Sequence, residues 1–283
     1  MHKLRYRLLL VFVVSLWLVV VPTRAQNPRL QVISYAGTDV YAIALAPSGE
    51  RFAITDGSEG LLYYEDKKPF CICKDPEAVF AFDPQGQTIL FISNQVLGLW
   101  SIQEKALIST ITINQWLDYT FGLTWINEDI FILGFKAEAG NIVILDAKDF
   151  TVRKIIPADG IQFISSAAKL PSKLFLLNDS YYPFGSIESL DLVSLKTTPF
   201  NLPFNKFLIM NYFAVSPDGK LAVAQNAEPD NLPLQIFELS SHRVIYDLEG
   251  PISQVCSISW NSTGDLIGVT FDGKAYLIRY ETR

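Results

Sequence analysis

Four aspartates in loop-like contexts, Asp56, Asp118, Asp159 and Asp179, are the residues of this sequence best suited to chemistry. Carboxylates that converge on one point can hold a hard cation such as calcium, and a bound cation can polarise a substrate for hydrolysis. Spacing alone does not bring these four together, and the stretch DGSEG at 56–60 lacks the spacing of a calcium loop and reads as a turn. Histidine is nearly absent: His2 lies in an apolar leader and His242 in a turn-like SSHR, so a histidine-based triad or histidine-cluster metal site has no material. Cys71, Cys73 and Cys256 make an odd count, which leaves at least one thiol unpaired within the chain. Cys71 and Cys73 share a face of a strand and read as strand thiols rather than as metal or redox ligands. No GxSxG, HExxH, P-loop or dinucleotide fingerprint occurs.

The aromatic side chains offer binding rather than catalysis. Tyr181, Tyr182 and Phe184 flank Pro183 in the run DSYYPFGS, which begins at Asp179, and Trp116, Tyr119 and Tyr212 stand in other loop-like segments, Trp116 and Tyr119 close to Asp118. Rings beside carboxylates suit a basic peptide, an organic cation, a sugar or a protein surface.

The first 25 residues look like a segment that is removed. Lys3, Arg5 and Arg7 precede an apolar run at 8–21, and Pro22, Thr23 and Ala25 supply small residues before a cut after Ala25. This is the pattern of a secretory signal; an uncleaved membrane anchor is the alternative, although the run is shorter than the roughly 20 residues needed to span a bilayer. Removal takes away four bases and no acid, which moves the net charge from −6 to −10. So acidic a chain repels phosphate backbones, which argues against nucleic acid as a partner.

The elements that must position these residues are strands. The stretches at 39–65 and 254–280 each hold an alternating apolar run, a tight turn with Gly, a second apolar run, a polar turn and a third run. Gly49, Gly86, Gly219 and Gly264 sit in matching turns (APSGERFAI, DPQGQTILFI, SPDGKLAVA, NSTGDLIGV), and five steps from Gly49 to Gly264 average 43 residues. A repeat of that length built only of short strands marks a β-propeller. Degenerate copies at 125–135 and 169–178 fill the gap, with Asn127-Glu128 and Pro171-Ser172 at the turn. First strands (A) are expected near 41–46, 79–83, 121–126, 163–169, 213–216 and 255–261, and third strands (C) near 61–65, 96–102, 141–146, 186–192, 234–239 and 275–280. The chain ends after a C strand and begins with an unpartnered run at 29–35, which is expected to become the outermost strand (D) of the last blade and so close the ring. On this layout the D–A and B–C loops share one face, which collects twelve acids, among them Asp118 and Asp179, together with the aromatic residues above.

The repeats resemble WD repeats. LQIFELSSHRVIYDLEGP at 234–251 is similar to the family's third and fourth strands and its Leu-x-Gly-His corner, and TFDGKAYLIRY at 270–280 is similar to its Asp-Gly turn and third strand. VLGLWSIQEKALIST at 96–110 has the same rhythm. The Trp-Asp pair is replaced in every copy, by Tyr64-Glu65, Ser101-Ile102, Leu145-Asp146, Leu190-Asp191, Phe237-Glu238 and Arg279-Tyr280, and Gly250 is followed by Pro251. The family's internal His–Asp network is therefore not carried over. The resemblance implies the architecture and a non-catalytic binding scaffold.

The expected fold is all-β: a six-bladed β-propeller of four-stranded antiparallel blades, with seven blades as the alternative because two copies lack the turn glycine. Residues 1–25 form the signal peptide or anchor, and residues 26–283 a single propeller domain. The expected function is a secreted or envelope-located scaffold (periplasmic, extracellular, or anchored and facing outside) without catalytic residues. It would bind a protein or peptide through Trp116, Asp118, Tyr119, Asp179, Tyr181, Tyr182, Phe184 and Tyr212. A monomer without cofactor is expected, with membrane contact only through an uncleaved leader. The alternative is a calcium- or other metal-dependent propeller hydrolase, lactonase- or phosphatase-like. Asn178-Asp179-Ser180 and Asn261-Ser262-Thr263 also match the glycan acceptor pattern.

Overall fold

Strands that are apolar on both faces can be buried only when sheets stack on both sides of them, and a ring of blades supplies that environment six times over. A computed structural model of the protein describes residues 30–33, 39–64, 69–178, 186–200, 213–225, 234–241, 243–248, 255–271 and 273–280. Among these residues the strands form six four-stranded antiparallel sheets.

The N-terminal strand β1 (Leu30–Ile33) precedes blade 1, which is β2 (Ile43–Leu45), β3 (Arg51–Thr55), β4 (Gly60–Tyr64) and β5 (Phe70–Cys73). Blade 2 is β6 (Val79–Phe82), β7 (Thr88–Ser93), β8 (Val96–Ser101) and β9 (Ala106–Thr112). Blade 3 is β10 (Tyr119–Ile126), β11 (Asp129–Lys136), β12 (Ala139–Asp146) and β13 (Val152–Pro157). Blade 4 is β14 (Ile161–Ser166), β15 (Lys173–Asn178), β16 (Ser186–Asp191) and β17 (Thr197–Phe200). Blade 5 is β18 (Phe213–Val215), β19 (Leu221–Gln225), β20 (Leu234–Glu238) and β21 (Arg243–Leu248). Blade 6 is β22 (Val255–Trp260), β23 (Leu266–Phe271) and β24 (Lys274–Arg279), with β1 as its fourth strand. Leu30 pairs with Ile278 and Ile33 with Ala275 in an antiparallel register, so the ring closes as the sequence predicts. Blades 3 and 4 are complete blades although they lack the turn glycine.

The core is not one mass but a set of slabs, one in each gap between neighbouring blades. Strand alternation feeds two slabs at once. In β7, Ile89 and Phe91 enter the gap with blade 1, while Leu90 and Ile92 enter the gap with blade 3. This is why the inner strands read as continuous apolar runs. Cutting Ile89 or Leu90, both fully buried, to alanine would cost about 2–5 kcal/mol.

Hydroxyls of the innermost strands tie the blades together around the axis. Where blade 6 meets blade 1, the Ile43 and Leu45 amides donate to Ser257 Oγ (3.2 Å) and Ser259 Oγ (3.1 Å). Ser262 Oγ donates to the Pro47 carbonyl (2.9 Å). The Val215 amide donates to Ser165 Oγ (3.0 Å) across blades 4 and 5, and Thr124 Oγ1 bonds Ser166 Oγ (2.7 Å) across blades 3 and 4. These bonds satisfy edge groups of short A strands that no fifth strand covers.

At the A–B turns the glycines meet two demands. Gly49, Gly86, Gly219 and Gly264 all have positive φ, between 67° and 81°. Each also nests on the neighbouring blade. A Cβ on Gly86 would lie 3.1 Å from Pro47, and one on Gly264 would lie 3.3 Å from Pro217. In blade 3 Asn127 takes the left-handed conformation instead (φ 51°).

Candidate functional site

The six A strands enclose a channel of about 750 Å³. At the end formed by the D–A and B–C loops its wall includes Tyr41, Gly57, Pro76, Glu77, Tyr119, Thr120 and Phe121; at the other end it includes Pro47, Asp83, Pro84, Asn127, Pro217 and Ser262. Glu77 and Asp83 are the charged residues of the wall, and no Lys or Arg lines it among the described residues.

The first end carries the exposed aromatic surface. Tyr119 is 61% exposed and Tyr41 49%. Tyr119 pairs across the strands with Phe135, and the Phe135 ring lies 5.1 Å from that of Phe121 in a tilted arrangement. A register shift between Thr120 and Gly122 places Phe121 at a bulge, which turns it out of the regular ladder. The patch is therefore built from the start of one A strand and the end of the B strand beside it.

The loop carboxylates of this face are largely committed to holding loops. Asp75, which is buried, accepts bonds from the Glu77 amide (2.9 Å) and the Asn94 amide (3.1 Å). Asp118 accepts bonds from Lys136 Nζ (2.6 Å) and the Ala137 amide (3.0 Å). Lys136 also donates to the Asn114 carbonyl (2.8 Å). Asp159 accepts a bond from the Gly140 amide (3.0 Å). Asp75 and Asp118 each reach from a D–A loop to a B–C turn nineteen residues on, and Asp159 reaches back nineteen residues to Gly140 in β12. Both turns need the support: Asn94 and Gln95, and likewise Ala137 and Glu138, are consecutive residues at positive φ. The Lys136 ammonium and the Ala137 amide hold the Asp118 carboxyl below its ordinary pKa. Asp56 closes its own turn through the Ser58 and Glu59 amides.

The residues expected to form the site thus take different parts. Tyr119 stands exposed at the mouth. Asp118 pins a loop, and Trp116 is half-buried against the slab between blades 2 and 3. Asp179, Tyr181, Tyr182, Phe184 and Tyr212 lie outside the described residues; Asn178 and Ser186, which flank the first four, stand at the same face as the mouth. Tyr41, Phe121 and Phe135 were not anticipated. Tyr41 could have been: it stands eight residues before Gly49, as Tyr119 stands eight before Asn127, so both occupy one position of the repeat.

The candidate metal donors and the thiols take other parts among the described residues. No group of three or more His, Cys, Asp or Glu side chains is placed to hold a metal ion among the described residues. Of the four candidate donors, Asp56, Asp118 and Asp159 are used as above, and Asp179 lies outside the described residues. Partial burial and the Glu59 carboxylate push the Cys71 thiol up to about 11, and burial pushes Cys73 up to about 12. Both thiols stay protonated near neutrality, which slows thiolate exchange. The glycan acceptor pattern fits poorly. Asn261 is buried, and its amide nitrogen bonds Thr263 Oγ1 (2.6 Å) and Asp265 Oδ1 (2.7 Å) while its oxygen caps the Gly264 and Leu266 amides. The Asn178 amide nitrogen donates to buried Glu188 (3.0 Å).

No family model and no curated protein matches the sequence. Solved structures do. The β-propeller domain of Cps50 (Swd1) from Myceliophteria thermophila is 11% identical, with TM-score 0.67 over 89% of this chain and 100% of that one. The WD40 repeats of RRP9 are 8% identical, with TM-score 0.64 over 90% and 99% of the two chains. U3-55K is 8% identical, with TM-score 0.60 over the same shares. At such identities the likeness lies in the fold: this chain is a six-bladed propeller similar to WD40 propeller domains.

Proposed function

We propose that this protein is a non-catalytic interaction module that receives a protein or peptide partner at the D–A end of its channel. The observation that carries the reading is the pair Tyr41 and Tyr119, exposed around a mouth whose wall holds Glu77 and no basic residue among the described residues. Exposed tyrosines on a rigid frame bind at low entropic cost, and negative charge around them favours a partner segment rich in Lys or Arg. WD40 propellers among its structural neighbours agree with an interaction role. The basic start, apolar run and small-residue exit at residues 1–25 support an exported location, with the partner in the envelope or outside the cell.

The test is affinity capture from the native envelope with the wild type and with Tyr41→Ser/Tyr119→Ser. The expected result is a set of partners captured by the wild type and depleted at least tenfold by the variant, with the melting curve unchanged. Equal capture by both would refute the mouth as the binding surface. Intact mass of the purified protein tests export, since cleavage leaves Gln26 at the N-terminus.

A further inference from the structure

Outer strands of propeller blades leave backbone groups unpaired, and such edges are usually blunted by shortness, charge or proline. Five of the six outer strands here follow that rule. β1 and β5 have four residues each; β17 has four and includes Pro199. β13 carries Arg153 and Lys154 and ends at Pro157, and β21 carries Arg243 and Asp247. β9 (ALISTIT) is different: it has seven residues, no charge and no proline. Leu107 and Ile108 on it are 49% and 52% exposed. Among the described residues its outer edge pairs with no strand. A bulge at Leu107–Ile108 is its one protective feature, and Ser109–Thr112 beyond it are in regular register with Val96–Leu99.

We infer that β9 is a self-association edge, at which two copies of this chain pair antiparallel and join their second blades into one continuous sheet. The occupant follows from symmetry and charge. About a two-fold axis through Ser109, Leu107 faces Ile111 and Ile108 faces Thr110; through Thr110, Ile108 faces Thr112 and Ser109 faces Ile111. Either register sets aliphatic, threonine and serine side chains against one another and no charge against charge. With net charge −6 two copies repel, and an uncharged strand is where that repulsion opposes contact least. An edge contact of this kind buries less than about 1,000 Å², so the dimer is weak and concentration-dependent. The inference departs from the monomer expected from the sequence and does not depend on the reading of the channel mouth.

The experiment is sedimentation equilibrium of the purified protein over a wide concentration range, beside Ile108→Lys and Thr110→Lys. The expected result is a monomer–dimer equilibrium for the wild type, weakened at least tenfold in each variant at unchanged melting temperature. Hydrogen exchange of the wild type gives a second readout that needs no variant: β9 amides gain protection as concentration rises, and β13 amides do not. A wild type that stays monomeric, a dimer that survives both variants, or β9 exchange indifferent to concentration would each overturn the inference.

Discussion

The two rims of the ring use the same residue, aspartate, over different distances along the chain. At the A–B and C–D turns it folds its own turn. Asp83 caps the Gln87 and Thr88 amides, Asp191 the Val193 and Ser194 amides, and Asp146 the Lys148 amide. Asn261 plays the same part in blade 6. At the D–A and B–C loops Asp56 also closes its own turn and Asp75 bonds the nearby Glu77 amide, but Asp75, Asp118 and Asp159 in addition reach nineteen residues along the chain to another element. The first rim is closed by local bonds and by glycines nested on a neighbouring blade, and its energy is structural. The second rim is held by a few longer-range bonds, which leave tyrosines free at the surface. Rigidity on one rim and exposed rings on the other is the division of labour that the proposed interaction module needs.

Where the WD family uses a His–Asp network, this chain has no Gly-His corner. The D–A carboxylates of Asp75 and Asp118 bond B–C turns at that end instead.

Three substitutions or conditions would break or sharpen this contrast, in falling order of effect. Gly264→Ala imposes a side chain at φ +81° against Pro217. A loss of about 1–3 kcal/mol in denaturant unfolding is expected, with partner capture retained. A neutral result would show that the closed rim is not held by its glycine nests.

Acid is the next lever. The Thr263 hydroxyl and the Asn261 amide hold Asp265 below its ordinary pKa, and the Ser194 amide and hydroxyl do the same for Asp191. For Asp218, burial works upward but is outweighed by the Ser216 hydroxyl and the Lys220 amide. A carboxylate whose folded pKa is depressed contributes stability that is complete above its unfolded value of about 3.9 and is lost as pH falls through the folded value. Melting temperature should therefore be flat down to about pH 4 as far as these groups act, and fall below it. Asp265→Asn should make that acid limb shallower; an unchanged slope would mean that this turn does not contribute to it.

The smallest effect concerns the open rim. Asp118→Ala frees the Ala137 amide while the slab beneath keeps the blade folded. Faster hydrogen exchange is expected at Ala137 and Glu138, with little change at Ile130 or Ile132 in the core. Uniformly faster exchange across blade 3 would mean that Asp118 supports the whole blade rather than one turn.

Much of the fold was legible because a propeller writes its geometry locally. Gly49, Gly86, Gly219 and Gly264 mark turns that demand positive φ, and the runs between them are long enough only for strands. The third strand of blade 2 at 96–101 lies within the expected 96–102, and the closing strand at 30–33 falls within the expected 29–35. The site was less legible. Asp118 looked like a ligand-binding acid because nothing in the sequence says that the Ala137 amide lies 3.0 Å away. Trp116 looked like a surface ring because loop position does not reveal that it leans on the slab below. Tyr41 is marked as exposed by its place in the repeat rather than by its neighbours in sequence.

By itself the sequence determined the propeller repeat, the strand order and the closing strand, since turn chemistry and apolar periodicity act within a few residues of where they are written; six blades rather than seven came from the sheets themselves. Only the tertiary structure decided which carboxylates are occupied and which rings remain open to a partner. Those assignments depend on bonds between residues nineteen or more positions apart, and on which ends of six strands meet around one axis.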